Sequence, residues 1–170
     1  MTVLLVLLSG CVKPQPPVML SSTFNPNDAA YVLNQGNNTI QGQSFLKTKG
    51  GDVKTCAGNK VSLVPVTEQS KEIMSKVYGN IEHGYAYYYP VFSNVGQGFN
   101  DYMKLEYCDA NGNFIFDKVA DGDYFVEAMV RWQVPQYSGF GWYMSNQGGL
   151  LMKHVRVTGG EIKKVYVVAD

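Results

Sequence analysis

The chain has 170 residues, 45% of them hydrophobic and only 16% charged, with 14 Lys and Arg balancing 14 Asp and Glu. That length suits one domain with short extras, and the apolar content supports a true core. A net charge of zero, with Arg131 and Arg156 as the only arginines, excludes a basic nucleic-acid face and leaves a Tyr-, Gly- and Asn-rich composition suited to a β protein outside the cytoplasm.

Val3 to Leu8 form an apolar run that ends in Ser9, Gly10 and Cys11. The run is too short for a membrane-spanning helix, which needs about 20 residues. It has the length and small-residue exit of a secretory leader. Leu8-Ser9-Gly10-Cys11 resembles the bacterial lipobox, although no basic residue precedes the apolar run. The resemblance implies cleavage before Cys11, a lipid on its thiol and attachment to a membrane. Val12 in the following position implies outer-membrane sorting, with the domain facing the periplasm or the cell surface. Residues 1–10 are therefore expected to be a signal peptide.

Residues 11–39 are expected to form an extended tether, because Pro14, Pro16 and Pro17 fix φ and polar residues follow. Asp28 to Leu33 could make a helical turn capped by Asn27. Strand patterns begin at Ile40 and occupy residues 40–170. The candidates are Ser44–Lys47, Val61–Val64, Lys104–Cys108, Asn113–Phe116, Tyr124–Val134, Leu150–Val157 and Ile162–Val168. Turns at Asn111-Gly112, Asp121-Gly122-Asp123 and Thr158-Gly159-Gly160 separate the later ones. One helix is predicted over Glu68–Val77, with Thr67 as its N-cap and Gly79 past its end. About seven strands and one short helix predict an all-β, antiparallel sandwich.

Asp109-Ala110-Asn111-Gly112-Asn113-Phe114-Ile115-Phe116, then Val119, then Gly122-Asp123-Tyr124-Phe125-Val126, resembles the carboxypeptidase regulatory-like domain. The resemblance covers roughly Gln41 to Val168 and implies a transthyretin-like, Ig-like sandwich. It implies no catalytic residues. Independently, the period of two puts Phe114 and Phe116 on one face, and Tyr124 and Val126 on one face.

With Cys11 assigned to lipid, Cys56 and Cys108 form an even pair in an exported chain, which suggests a disulfide; two buried thiols are the alternative. Their separation rules out a Cys-x-x-Cys redox pair. His83 and His154 lack a second ligand at metal-binding spacing, and His154 is expected to face solvent. Asp109, Asn111 and Asn113 read as a hairpin turn rather than a calcium loop. No serine motif or carboxylate pair supports an enzyme, and no pattern calls for a cofactor or metal.

Two aromatic clusters stand out. Tyr85 to Val91 is best read as a strand with alternate tyrosines in the core. Trp132, Tyr137, Phe140, Trp142 and Tyr143 lie in a Gly-rich stretch. Of these, Tyr137, Phe140, Trp142 and Tyr143 are candidate contacts for an envelope protein or a glycan. The expected role is a non-enzymatic, lipid-anchored interaction or structural module. Rival expectations are a component of a secretion or conjugation machine and a carbohydrate-binding or enzyme-accessory module.

Overall fold

The computed structural model describes residues 15–169, so the apolar leader and Cys11 lie outside the described residues. Two sheets face each other across one core, giving the all-β sandwich that the alternating patterns predict.

The first sheet is built on β1 (Asn38–Lys47). Its neighbours are β2 (Val53–Thr55), β6 (Asn113–Val119) and β9 (Ile162–Val168). β6 runs antiparallel along Asn38 to Gln43, and β2 continues that edge from Phe45 to Lys47. β9 lies on the opposite edge and is parallel to β1. The sandwich is therefore mixed, where hairpin patterns alone predicted antiparallel pairing. β9 can be parallel because most of the chain separates it from β1, leaving room for the crossover that parallel strands require.

The second sheet has the order β4 (His83–Ala86), β8 (Trp142–Val157), β7 (Gly122–Tyr137), β3 (Lys60–Pro65), β5 (Lys104–Tyr107), all antiparallel. Among the described residues nine strands thus replace the expected seven. β2 is too short for a sequence pattern to declare it, and β4 overlaps only the start of the strand read at Tyr85 to Val91.

The inner faces meet as period two requires. Ile40, Phe114, Phe116, Val165 and Val167 from the first sheet pack on Val61, Leu63, Tyr124, Val126, Leu151 and Val155 from the second. Within the first sheet, Gly42 lies where β6 and β9 crowd the inner face of β1. A Cβ there would come within 2.0 Å of the Val165 carbonyl oxygen and 2.8 Å of the Phe114 ring. Tyr124 is fully buried, and its hydroxyl donates to the Ala120 carbonyl oxygen at 2.9 Å.

Helix α2 (Glu68–Tyr78) covers the outer face of the second sheet. Thr67 caps it as predicted, in a reciprocal pair with Ser70, and Gly79 ends it at φ 69°. Ser70 is buried because it completes that cap. Ile73 and Met74 pack on Val64, Phe125 and Met152.

The expected tether is not an extended spacer from Gln15 onward. Val18 bridges to Phe92, Leu20 is buried beside α2, and Ser21 and Ser22 donate to the Glu72 carboxylate. A short helix α1 (Pro26–Ala29) follows, capped by Asn25 rather than Asn27, and passes into a 3-10 turn at Ala30–Leu33. Val32 enters the main core, and the Tyr31 hydroxyl donates to the Asp123 carbonyl oxygen and accepts from the Val66 N–H. Apolar residues among the prolines are the reason: Val18, Leu20, Phe24 and Val32 gain more by burial than a free spacer would by entropy.

The tyrosine-rich strand also differs from expectation. β4 stops at Ala86, and Tyr85, Tyr87, Tyr88 and Tyr89 all keep substantial exposure. Pro90 cannot donate to a ladder, and the outer face that these rings could have covered is already held by α2, Leu20, Phe92 and Phe99.

Candidate functional site

Two surfaces carry exposed chemistry. One lies on the outer face of the first sheet; the other projects from the second.

On the first sheet, alternate residues of β1 point away from the core, and registry places their neighbours beside them. Gln41 lies between Ile115 of β6 and Lys164 of β9. Gln43 lies between Asn113 of β6 and Tyr166 of β9. The result is a platform of two amide-centred rows, about 10 Å across three strands at the usual strand spacing. Glu106 and Tyr107 of β5 and Asp109 rise along one side and enclose an open groove of about 450 Å³. Tyr107 and Tyr166 are both more than half exposed.

The groove wall is held in place. Asp109 accepts from the Asn111 N–H, the Asn113 N–H and the Asn113 side-chain amide, each at 2.8 or 2.9 Å. These donors, the Asn113 side chain foremost, hold its carboxyl below the usual carboxylate range. This is the hairpin turn the sequence predicts. Cys56 and Cys108 form the expected disulfide, with Cα atoms 5.8 Å apart. The Cys108 N–H donates to the Asn59 carbonyl, and the Gly58 N–H donates to the Cys108 carbonyl. The bridge thus ties the end of β5, which carries Glu106 and Tyr107, to the turn before β3. Gln43 donates to the Asn111 carbonyl at 2.8 Å, whereas no partner among the described residues engages the Gln41 amide or the Lys164 ammonium.

The second surface gathers the predicted aromatic contacts. β7 and β8 pair continuously from Gly122–Val157 to Tyr137–Trp142. β3 accompanies β7 only as far as Ala128, and β4 accompanies β8 only from Leu150. Beyond that point the two strands leave the sandwich as a free ribbon. Gly148 marks the departure at φ 93°, where a Cβ would sit 2.0 Å from the Val130 carbonyl oxygen. Tyr137 and Trp142 pack together at the tip, with ring centroids 5.5 Å apart. The Tyr143 hydroxyl donates to Gln136 at 2.8 Å. Phe140, in the four-residue turn, is fully exposed at 103%. Trp132, nearer the root, packs against the main core instead.

His154 is half-buried rather than solvent-facing. Its ring lies on Phe125, with Glu82 at 3.3 Å and Asp123 at 3.4 Å. A half-buried carboxylate has no signal in the sequence: Glu127, under α2, accepts from the Tyr78 hydroxyl at 2.8 Å. Burial pushes its pKa up to about 7, against the smaller opposing effect of that hydrogen bond. Among the described residues, no group of three or more His, Cys, Asp or Glu side chains could hold a metal ion.

No protein-family model matches the chain, and no curated protein matches it. Among solved structures, the chain is similar to a candidate carbohydrate-binding protein from Pseudomonas aeruginosa, determined by crystallography at 2.61 Å. The two are 25% identical, with a TM-score of 0.66, over 85% of this chain and 97% of the other.

Proposed function

We propose that this protein is an exported lipoprotein, anchored through Cys11, whose sandwich binds a saccharide in the groove on the first sheet. The observation that carries the reading is the amide platform. Pyranose rings present apolar C–H faces and a rim of hydroxyls that both donate and accept. Gln41, Gln43 and Asn113 supply side-chain amides that do both in one plane. Tyr107 and Tyr166 supply exposed ring faces for the C–H surface, and Lys164 and Glu106 extend the polar rim. The similarity to a candidate carbohydrate-binding protein supports the same ligand class. The hairpin resemblance to carboxypeptidase regulatory-like domains fits a binding module that works without catalysis. An extracytoplasmic location agrees with the Cys56–Cys108 bridge, since disulfides persist in oxidising compartments.

The test is glycan-array screening of the unacylated Cys11→Ala chain, followed by calorimetry on the best ligand. Tyr166→Ala and Gln43→Ala should each weaken binding about tenfold, the cost of one lost contact of about 1.4 kcal/mol, with unchanged melting. A chain that binds no glycan, or variants that bind as well as the parent, would remove the reading. Alkyne fatty-acid labelling checks the anchor: label should depend on Cys11, and label persisting in Cys11→Ala would overturn it.

A further inference from the structure

The aromatic ribbon is chemically unlike the groove. No charged side chain occurs between Arg131 and Lys153. Within that interval polarity is graded along the ribbon. The stalk carries Gln133, Ser145, Asn146 and Gln147, whereas the tip carries Tyr137, Phe140, Trp142, Tyr143 and Met144, all with more than half of their surface exposed, with Gln136 opposite Tyr143 and bonded to its hydroxyl. Phe140 has no polar atom in its side chain and no contact to shield it. A glycan site would need convergent polar groups at the tip, and a protein-docking arm usually carries charge at its rim.

We infer that the tip of the β7–β8 ribbon inserts into the interfacial layer of a lipid bilayer. Trp and Tyr favour that layer because one end of each ring is apolar and the other forms hydrogen bonds. Phe140 and Met144 add apolar surface without a charge to dehydrate. The backbone permits shallow entry: the ladder is paired through Tyr137–Trp142, and the Ser138 N–H donates to the Gly141 carbonyl across the turn. The free outer edges of the ribbon limit insertion to the level where headgroup water still reaches them, about 5–10 Å, or two to three residues of strand.

Chain geometry supports a lipid occupant. Cys11 precedes Gln15 by four residues, a length of chain that can span at most about 14 Å. The described chain then enters at Val18, beside Phe92. An acyl anchor that close to the folded domain would hold the sandwich near the bilayer, within reach of an exposed apolar tip. This placement argument rests on the anchored reading, whereas the chemistry of the tip does not. A single acyl chain gives marginal membrane binding, and a second contact makes it durable.

The experiment uses the full chain as Cys11→Ala, so that no acyl group contributes. Trp132→Phe leaves Trp142 as the sole tryptophan, at the tip. With neutral phosphatidylcholine vesicles, Trp142 fluorescence should shift to the blue, and the protein should float with the lipid. Phe140→Asp should weaken partitioning about tenfold. High salt should leave the parent's binding unchanged, because no charge is involved. An unshifted tryptophan, partitioning that survives Phe140→Asp, or binding that needs anionic lipid and is lost in salt would each overturn the inference. Phe140→Ser reads the same effect should the aspartate disturb folding. Glycan binding measured on the same samples separates the two proposals: loss of lipid binding with glycan binding intact removes only this one.

Discussion

Strands β7 and β8 each contain two regions under opposite physical regimes. From Tyr124 to Ala128 in β7 and from Leu150 to Lys153 in β8, the strands are paired on both sides, and Tyr124, Val126 and Leu151 fill the main core. From Gln133 to Asn146 the same ladder continues with its outer edges free, and its largest residues point into solvent. Backbone hydrogen bonds are equivalent in both regions, so burial makes the difference. An isolated two-stranded ribbon is marginal in water. The ribbon persists because the root fixes its register and twist. A segment held so rigidly, yet excused from the core, can present aromatic surface that a self-sufficient fold would bury.

The largest expected effect is at the root. Tyr124→Ala should cost about 4–5 kcal/mol, by cavity formation and by loss of the hydroxyl bond to Ala120. Thermal unfolding should shift down by about 10 °C or more; a shift of a degree or two would mean that the root is not where stability lies. Next, reducing the Cys56–Cys108 bridge should cost up to about 4 kcal/mol in the chain-entropy model for a loop of 52 residues. It should also loosen the wall formed by Glu106 and Tyr107, so glycan affinity should fall with reductant. Affinity unchanged in the reduced, folded protein would detach the bridge from the groove.

Glu127 makes the stability of the root depend on pH. Its folded pKa of about 7 lies above the ordinary value of 4.5, so the folded state binds the proton more tightly than the unfolded state. Stability is then fully present below about pH 4.5 and falls as pH rises through 7, by about 1–3 kcal/mol. Urea unfolding between pH 4 and pH 8 should show this slope, and Glu127→Gln should flatten it; an unchanged slope would assign it to other groups. Glu72 acts with the opposite sign. Hydrogen bonds from Ser22 and Ser21 hold it down to about 2, so its hold on the N-terminal segment weakens as pH falls below about 4.5. The smallest effect is at the tip. Phe140→Ser combined with Trp142→Ser should change stability by no more than about 0.5 kcal/mol, because neither ring enters a core. A loss comparable to that of Tyr124→Ala would show that the ribbon is packed and erase the contrast.

Local features were legible where one residue type serves one purpose. Thr67 and Gly79 bound the helix, Asn111-Gly112 makes the turn, and Phe114 with Phe116 faces the core. The disulfide was legible from an even cysteine count. The groove was not, because Gln43, Tyr107, Asn113 and Tyr166 are distant in sequence and meet only through strand registry. The ribbon was only half legible. Its aromatics were visible as contact candidates, but Trp142 to Gly149 shows no alternation that marks a strand leaving its sheet.

The amino-acid sequence by itself determined the sandwich class, the capped helix, the turns and the cysteine pair, since caps, turns and a period of two depend on residues a few positions apart. Only the tertiary structure decided which faces those periods would bury. The tyrosines after β4 stay exposed because α2 and the N-terminal segment occupy the outer face ahead of them. The amides of β1 form a platform because β6 and β9 arrive on either side in register. Alternation is written locally, but burial depends on what packs opposite, and that partner lies far along the chain.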